Sequence, residues 1–484
     1  VSSSYSFAQN LTLDLNGHGL TSTAQYALKA EAGELTIKNG DVSSNQTYAI
    51  SCDGDAKLNV VDCQVTGTQY IIANNSTDTV NITNSTITST NISGKTYNIR
   101  NVATGTIIAT NDSISGYNYM VANSDNGTIR MNICRVSGND YAVSNEGQGE
   151  VYIDNSTVTG RANSARAVYV KQGGSMYISN SEINALGNSG YCFEIKSTTT
   201  KPLNVVDIYN CVLNAGKKGV VSGASEGRVN IHGNTTINLT GTTNAQQAIY
   251  IPSHNTFNIG GYKDEHDDWV TDGTVTINLG SPKAATSYTT YNCGVYIYGE
   301  SGAVTTVNIV GNTQINATHA NVTAGVVSRL YATTNISGGK INATNACVYA
   351  DSPTTLNISD SAVLNVTHTG VKYSYTGGSD TINITGGKFN LTGDNAYGIY
   401  SANAGNKSKV NISGGTFHLA GNNAHALHIL GSDTVSVTGG SFTATGSNST
   451  VFHGEGGGAV FTVDAATASA NTIANMGTGD TCLV

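Results

Sequence analysis

Charged side chains are scarce in this chain: 11% of 484 residues, with 23 basic against 32 acidic groups and a net charge of −9. There is no run of Lys or Arg, which argues against a nucleic-acid partner or an anionic membrane surface. No apolar stretch approaches the ~18 to 20 residues that span a bilayer, so no membrane insertion is expected. The eight cysteines include no CxxC metal pair. No segment carries a 3.6-residue apolar stripe, which argues against helices. A Ser-His-Asp constellation, a phosphate-binding glycine loop and a basic column able to supply a lyase base are all missing too. Polarity comes instead from Asn, Thr, Ser and Gly, a surface that suits an extracellular or cell-surface protein.

What the chain has is a recurring phrase: an apolar-polar-apolar strand, a tight polar turn, then a second strand. It reads Leu13-Asp14-Leu15-Asn16-Gly17 near the start and Val410-Asn411-Ile412-Ser413-Gly414-Gly415 near the end. The central polar residues fall at Asp14, Thr36, Asn59, Asn81, Ile108, Arg130, Tyr152, Tyr177, Asp207, Asn230, Asn258, Asn308, Asn335, Asn357, Asn383, Asn411, Ser436 and Thr462. Intervals are mostly 22 to 30 residues, with one of 50. Such a period marks a solenoid, in which each unit buries its apolar face only against its neighbours. Strict alternation and β-branched residues make the units strands. Each unit has room for three, as in Val229–Ile231, Thr236–Leu239 and Ala248–Ile251. The expected fold is all-β, a right-handed parallel β-helix of about 18 coils forming one domain over 1–484, roughly 85 Å long at the strand spacing.

Tyr26, Tyr48, Tyr70, Tyr97, Tyr119 and Tyr141 recur at one-coil intervals, which predicts a tyrosine ladder facing the core or a corner; a sugar-stacking platform is the functional alternative. Cys63, Cys134 and Cys211 each follow an anchor by four residues and share a column, several coils apart. Cys52 with Cys63, or Cys192 with Cys211, could meet across adjacent coils; buried free thiols are the other reading.

Twenty-three Asn-x-Ser/Thr triplets occur, among them Asn81, Asn335, Asn357, Asn383 and Asn411. In a secretory pathway these are N-glycan acceptors. In a β-solenoid the same residues form stacked amide ladders. Asn335, Asn357, Asn383 and Asn411 fall at one outward position on consecutive coils, where full occupancy would crowd glycans about 4.8 Å apart.

The interval of 50 carries two loop insertions, 261–273 and 281–291. The first holds the single Trp of the chain and a cluster of acids. Insertions in solenoids often build the binding face. Tyr262, His266 and Trp269 are the candidate ligand-binding residues, with Trp269 able to stack on a sugar ring. Asp264, Glu265, Asp267, Asp268 and Asp272 are the candidate metal ligands, and Ca²⁺ is the cation such oxygens suit. Asp267 and Asp268 could also act as an acid–base pair in glycoside hydrolysis. A solvated acidic loop pinned by Trp269 is the structural alternative. His418, His425, His428 and His453 form only a loose set over the last coils, short of the converging ligands a zinc site needs.

These phrases resemble the pectate-lyase-like β-helix superfamily over essentially the whole chain. Leu11-Thr12-Leu13-Asp14-Leu15-Asn16-Gly17-His18-Gly19-Leu20 looks like the first coil of bacterial surface proteins with this fold, and the Asn-Ile-Ser-Gly-Gly phrases look like adhesin passenger rods. That fold hosts lyases, hydrolases, tailspikes and stalks alike. Its enzymes spread acidic and basic residues over several coils of one face, whereas here the one acidic cluster sits in a single loop. The chain begins at Val1 without a leader, as a processed or truncated product would. Neither end reads as capped, which points to a fragment of a longer rod or to end-to-end stacking. The expectation is a non-enzymatic structural or adhesive rod whose partners are its own copies or matrix glycans. The alternative is a carbohydrate-binding or carbohydrate-active β-helix with its site at 262–272.

Overall fold

The computed structural model describes residues 3–91, 94, 96–171, 173–196, 204–223, 227–252, 255–287, 290–302, 304–351, 353–374, 379–405, 407–470 and 472–483. Among them there is no α-helix, and no helix long and apolar enough to cross a membrane. Parallel strands stack turn on turn as a β-solenoid, three per turn, on what are here termed faces 1, 2 and 3. The chain divides into two compact units, Val1–Gly227 and Arg228–Val484.

The first unit holds nine turns, from Leu11–Asp14, Gly19–Ser22 and Tyr26–Ala30 to Asn204–Tyr209, Val212–Ala215 and Lys218–Ser222. Its core is the inward set of each alternation, for example Leu35, Ile37, Val42, Leu58, Val60 and Val65, all 0–1% exposed. The anchor column is observed with one correction. Thr36 pairs with Thr12, and Asp14 lies across from Lys38. The run Leu11-Thr12-Leu13-Asp14-Leu15 offers two registers of equal parity, and the strand hydrogen bonds select the earlier one.

The corner between faces 1 and 2 explains the cysteine column. Its first residue sits in the left-handed region at Asn39, Asp62, Asn84, Asn111, Ile133, Asn155, Asn180 and Asn210. Asn and Asp tolerate that backbone best after Gly. Its second residue is Gly40, Cys63, Ser85, Asp112, Cys134, Ser156, Ser181 or Cys211. There the backbone N–H of one turn donates to the side chain of the next: Cys63 to Ser85 Oγ (3.2 Å), Ser85 to Asp112 Oδ1 (2.7 Å), Cys134 to Ser156 Oγ (2.9 Å) and Ser156 to Ser181 Oγ (3.0 Å). The Ser hydroxyls and Cys thiols in turn donate to the carbonyl two residues back. Ser and Cys interchange because each supplies one acceptor and one hydrogen. All eight thiols are free, and burial pushes Cys52 and Cys211 up to about 12. The pairings Cys52–Cys63 and Cys192–Cys211 do not form, since Cys52 lies on face 3 while Cys63 holds the corner.

The six tyrosines stack at the start of face 3, with centroids 4.8–5.7 Å apart and half-buried rings except the buried Tyr97. At the far end of that face Asn74, Asn101, Asn123 and Asn145 form a fully buried amide ladder, with Nδ2 to Oδ1 distances of 3.1–3.2 Å.

The second unit also holds nine turns, from Gly227–His232, Thr236–Leu239 and Gln247–Ile251 to Val460–Val463, Thr467–Ser469 and Thr472–Met476. Its core includes stacked Phe389, Phe417 and Phe442. On face 1, Asn230, Asn258, Asn308, Asn335, Asn357, Asn383 and Asn411 form one amide ladder with Nδ2 to Oδ1 distances of 2.7–2.9 Å. Asn238, Asn278, Asn316, Asn342, Asn365 and Asn390 form a second on face 2, at 2.8–2.9 Å. The sequons at Asn335, Asn357, Asn383 and Asn411 are rungs of the first ladder, and Asn81 bonds Asn59 in the first unit at 2.9 Å.

Candidate functional site

The long turn of the second unit runs from Asn255–Ile259 on face 1 to Thr276–Asn278 on face 2, and 261–273 forms a hairpin between them. Tyr262–Lys263 pairs antiparallel with Trp269–Val270. The Asp264 carboxylate closes the tip by accepting the N–H groups of His266 (2.9 Å) and Asp268 (3.0 Å). Asp267 takes a left-handed backbone (φ 66°) and its carboxylate meets Lys263 Nζ at 2.7 Å. Lys263 Nζ also lies 5.6 Å from the Trp269 ring centroid. At the base, both oxygens of Asp272 lie 3.1 Å from His232 Nδ1, and the Gly233 N–H donates to Oδ1 at 3.0 Å. The His232 ring packs on Tyr262 at 4.8 Å.

The five expected metal ligands are thereby directed to different places. Asp264 serves the turn, Asp267 serves Lys263 and Asp272 serves His232, while Glu265 and Asp268 are exposed at the tip, Glu265 lying 3.6 Å from His266. Tyr262 is part of the base of the hairpin and His266 part of its exposed tip. Trp269, 38% exposed, is the residue of the set that faces a groove.

That groove, about 400 Å³, is bounded by Lys263 and Trp269 on one side and by Asn308, Asn335, Asn357, Ser337 and Ser359 on the other. Each amide has two N–H hydrogens and an oxygen with two lone pairs, and the ladder uses one of each. One donor and one acceptor per rung therefore remain, repeated about every 4.8 Å beside an indole face. Sequence reasoning found the indole and the ladder separately, and the hairpin brings them together.

The second insertion builds a different hollow, also about 400 Å³. It is lined by Tyr291, Asn345, Tyr349, His368, Thr369 and Lys372. Residues 288 and 289 of that insertion lie outside the described set. Tyr291 meets Tyr349 edge-on at 5.5 Å, and Lys372 Nζ sits 5.7 Å from the Tyr349 ring centroid.

The histidines correct an expectation. His418 is on face 2, but His425, His428 and His453 meet on face 3. The His425 and His453 rings stack at 4.6 Å, and those of His428 and His453 lie 4.7 Å apart. Glu455 Oε1 is 3.0 Å from His428 Nε2 and 3.8 Å from His453 Nε2. Burial, and then the neighbouring imidazoles, push His425 and His428 down to about 4. The signal was in the spacing: Tyr400, His428 and His453 each stand 17 residues after the anchors Asn383, Asn411 and Ser436. Reading along one strand rather than across turns concealed it.

No family model matches the chain, and a search of curated proteins finds no match.

Proposed function

We propose that this chain is a non-enzymatic, extracellular adhesive β-solenoid that binds carbohydrate in the groove between Trp269 and the Asn308–Asn335–Asn357 ladder. The observation that carries the reading is the juxtaposition of an exposed indole with a row of half-used amides and two serines. An aromatic face suits the apolar face of a sugar ring, and amides at a regular spacing suit its hydroxyls. The non-catalytic part is supported by the contacts that hold these acids apart, Asp264 closing the turn, Asp267 meeting Lys263 and Asp272 meeting His232, since glycoside hydrolysis needs two carboxyl groups facing one bond. The resemblance to adhesin rods supports the same reading through architecture.

A panel of soluble neutral and acidic glycans tests it by surface plasmon resonance. At least one glycan should bind, and Trp269→Ala and Asn335→Ala should each weaken it about tenfold or more, roughly 1.4 kcal/mol. Binding indifferent to both substitutions, or release of reducing ends from any glycan of the panel, would overturn the proposal.

A further inference from the structure

We propose that His428, His453 and Glu455 form a binding site for a divalent transition-metal cation of the Zn²⁺ type, joining two successive turns of the second unit. The strands His425–Ile429 and Thr450–Gly454 are neighbours on face 3, and their register places His428 directly across from His453. Glu455 follows the second strand, and its N–H donates to the Ile429 carbonyl at 3.1 Å, which holds it beside both imidazoles. One ligand atom from each of the three residues lies within 4.8 Å of the others, the one such set of His, Cys, Asp or Glu among the described residues.

A cation with ligand distances of about 2.0–2.1 Å in tetrahedral geometry holds its ligand atoms roughly 3.3 Å apart. The observed 3.0 and 3.8 Å from Glu455 Oε1 to the two Nε2 atoms bracket that value. Two imidazoles and a carboxylate suit zinc and its neighbours rather than Ca²⁺, which prefers oxygen throughout. Three protein ligands leave a fourth position for water or an exogenous ligand.

Two further observations define the state of the rings. The Nδ1 atoms of His425, His428 and His453 are buried without a hydrogen-bond partner. The nitrogens that meet Glu455 are the Nε2 atoms of His428 and His453, so a cation bound there takes Nε2 as its ligand atom and leaves Nδ1 to carry the ring hydrogen. The rings are also preset: Tyr397 and Tyr400 pack edge-on to His428, at 4.8 and 5.3 Å, which restricts its rotation. Glu455, 48% exposed in its side chain, opens the set to solvent.

The test is calorimetric titration of Zn²⁺ into the full chain after chelator treatment, repeated with Co²⁺ to read coordination from its visible spectrum. Expected are one saturable site, a tetrahedral Co²⁺ spectrum, and a loss of affinity of at least tenfold in both His453→Ala and Glu455→Gln. Glu455→Gln replaces a half-exposed side chain and should fold normally, which keeps the test informative should His453→Ala fail to fold. His418→Ala, on face 2 and outside the cluster, should leave the titration unchanged. Absence of saturable binding, or a site that survives Glu455→Gln at full affinity, would overturn the proposal.

Discussion

Replacing Asp112 by Ser should stabilise the protein at pH 8 and do little at pH 4. Asp112 is 2% exposed; its Oδ1 accepts the Ser85 N–H, while its Oδ2 is buried without a partner. Burial raises its pKa from 3.8 to about 7, against the smaller opposing effect of backbone hydrogen bonds. A carboxyl whose folded pKa is raised contributes stability that is complete below its unfolded pKa and is lost as pH rises through the folded value. The window here runs from about pH 4 to 7, and about three units at 1.36 kcal/mol each set a ceiling of about 4 kcal/mol. Relaxation around the ionised group reduces this to about 2–4 kcal/mol at pH 8. Serine already fills the same position at Ser85, Ser156 and Ser181, so the variant keeps the acceptor and regains a hydrogen for the Thr110 carbonyl. Other groups titrate in the same pH range: Asp380, raised to about 6, acts in the same direction, and His425 and His428, lowered to about 4, act in the opposite one. The diagnostic quantity is therefore the difference between variant and parent, measured by urea unfolding followed by circular dichroism at pH 4, 6 and 8. A difference that does not change with pH, or a variant less stable than the parent at pH 8, would refute the reasoning.

Three further outcomes follow from the turns themselves. Ile133 is 53% exposed and takes a left-handed backbone (φ 57°) where its column otherwise carries Asn or Asp, so Ile133→Asn should stabilise by about 1–2 kcal/mol in the same urea assay. Gly127 lies against the buried amide ladder, and an added Cβ would overlap Asn101 Nδ2 and the carbonyls of Ala103 and Gly105; Gly127→Ala should cost about 3 kcal/mol or more, read as a fall in the unfolding midpoint. Trp269→Ala should shift stability by less than about 1 kcal/mol, because its ring sits on an exposed hairpin, so a thermal scan should separate its effect on glycan binding from any effect on folding.

Much of the fold was legible because a solenoid repeats a local pattern. Thr36 to Asp207 and Asn230 to Thr462 occupy the expected column, and Asn335, Asn357, Asn383 and Asn411 are consecutive rungs of one ladder. Asp14 was misplaced because alternation leaves a two-residue shift undetermined. The acidic insertion was legible as an insertion but not as a hairpin, since the destinations of Asp264, Asp267 and Asp272 depend on a turn closing and on His232 forty residues earlier.

The sequence by itself determined the strand pattern, the three faces and the parity that sends Ile, Val and Leu inward, because these follow from a period of two within segments of four or five residues. Tertiary structure alone decided which side chains meet across turns. Trp269 reaches the Asn308–Asn335–Asn357 ladder because a hairpin folds over face 1, and His428 finds His453 and Glu455 because loop lengths set the register between strands 25 residues apart. Side-chain period is a property of the backbone, whereas register depends on where each corner closes, and that is settled only when the turns pack.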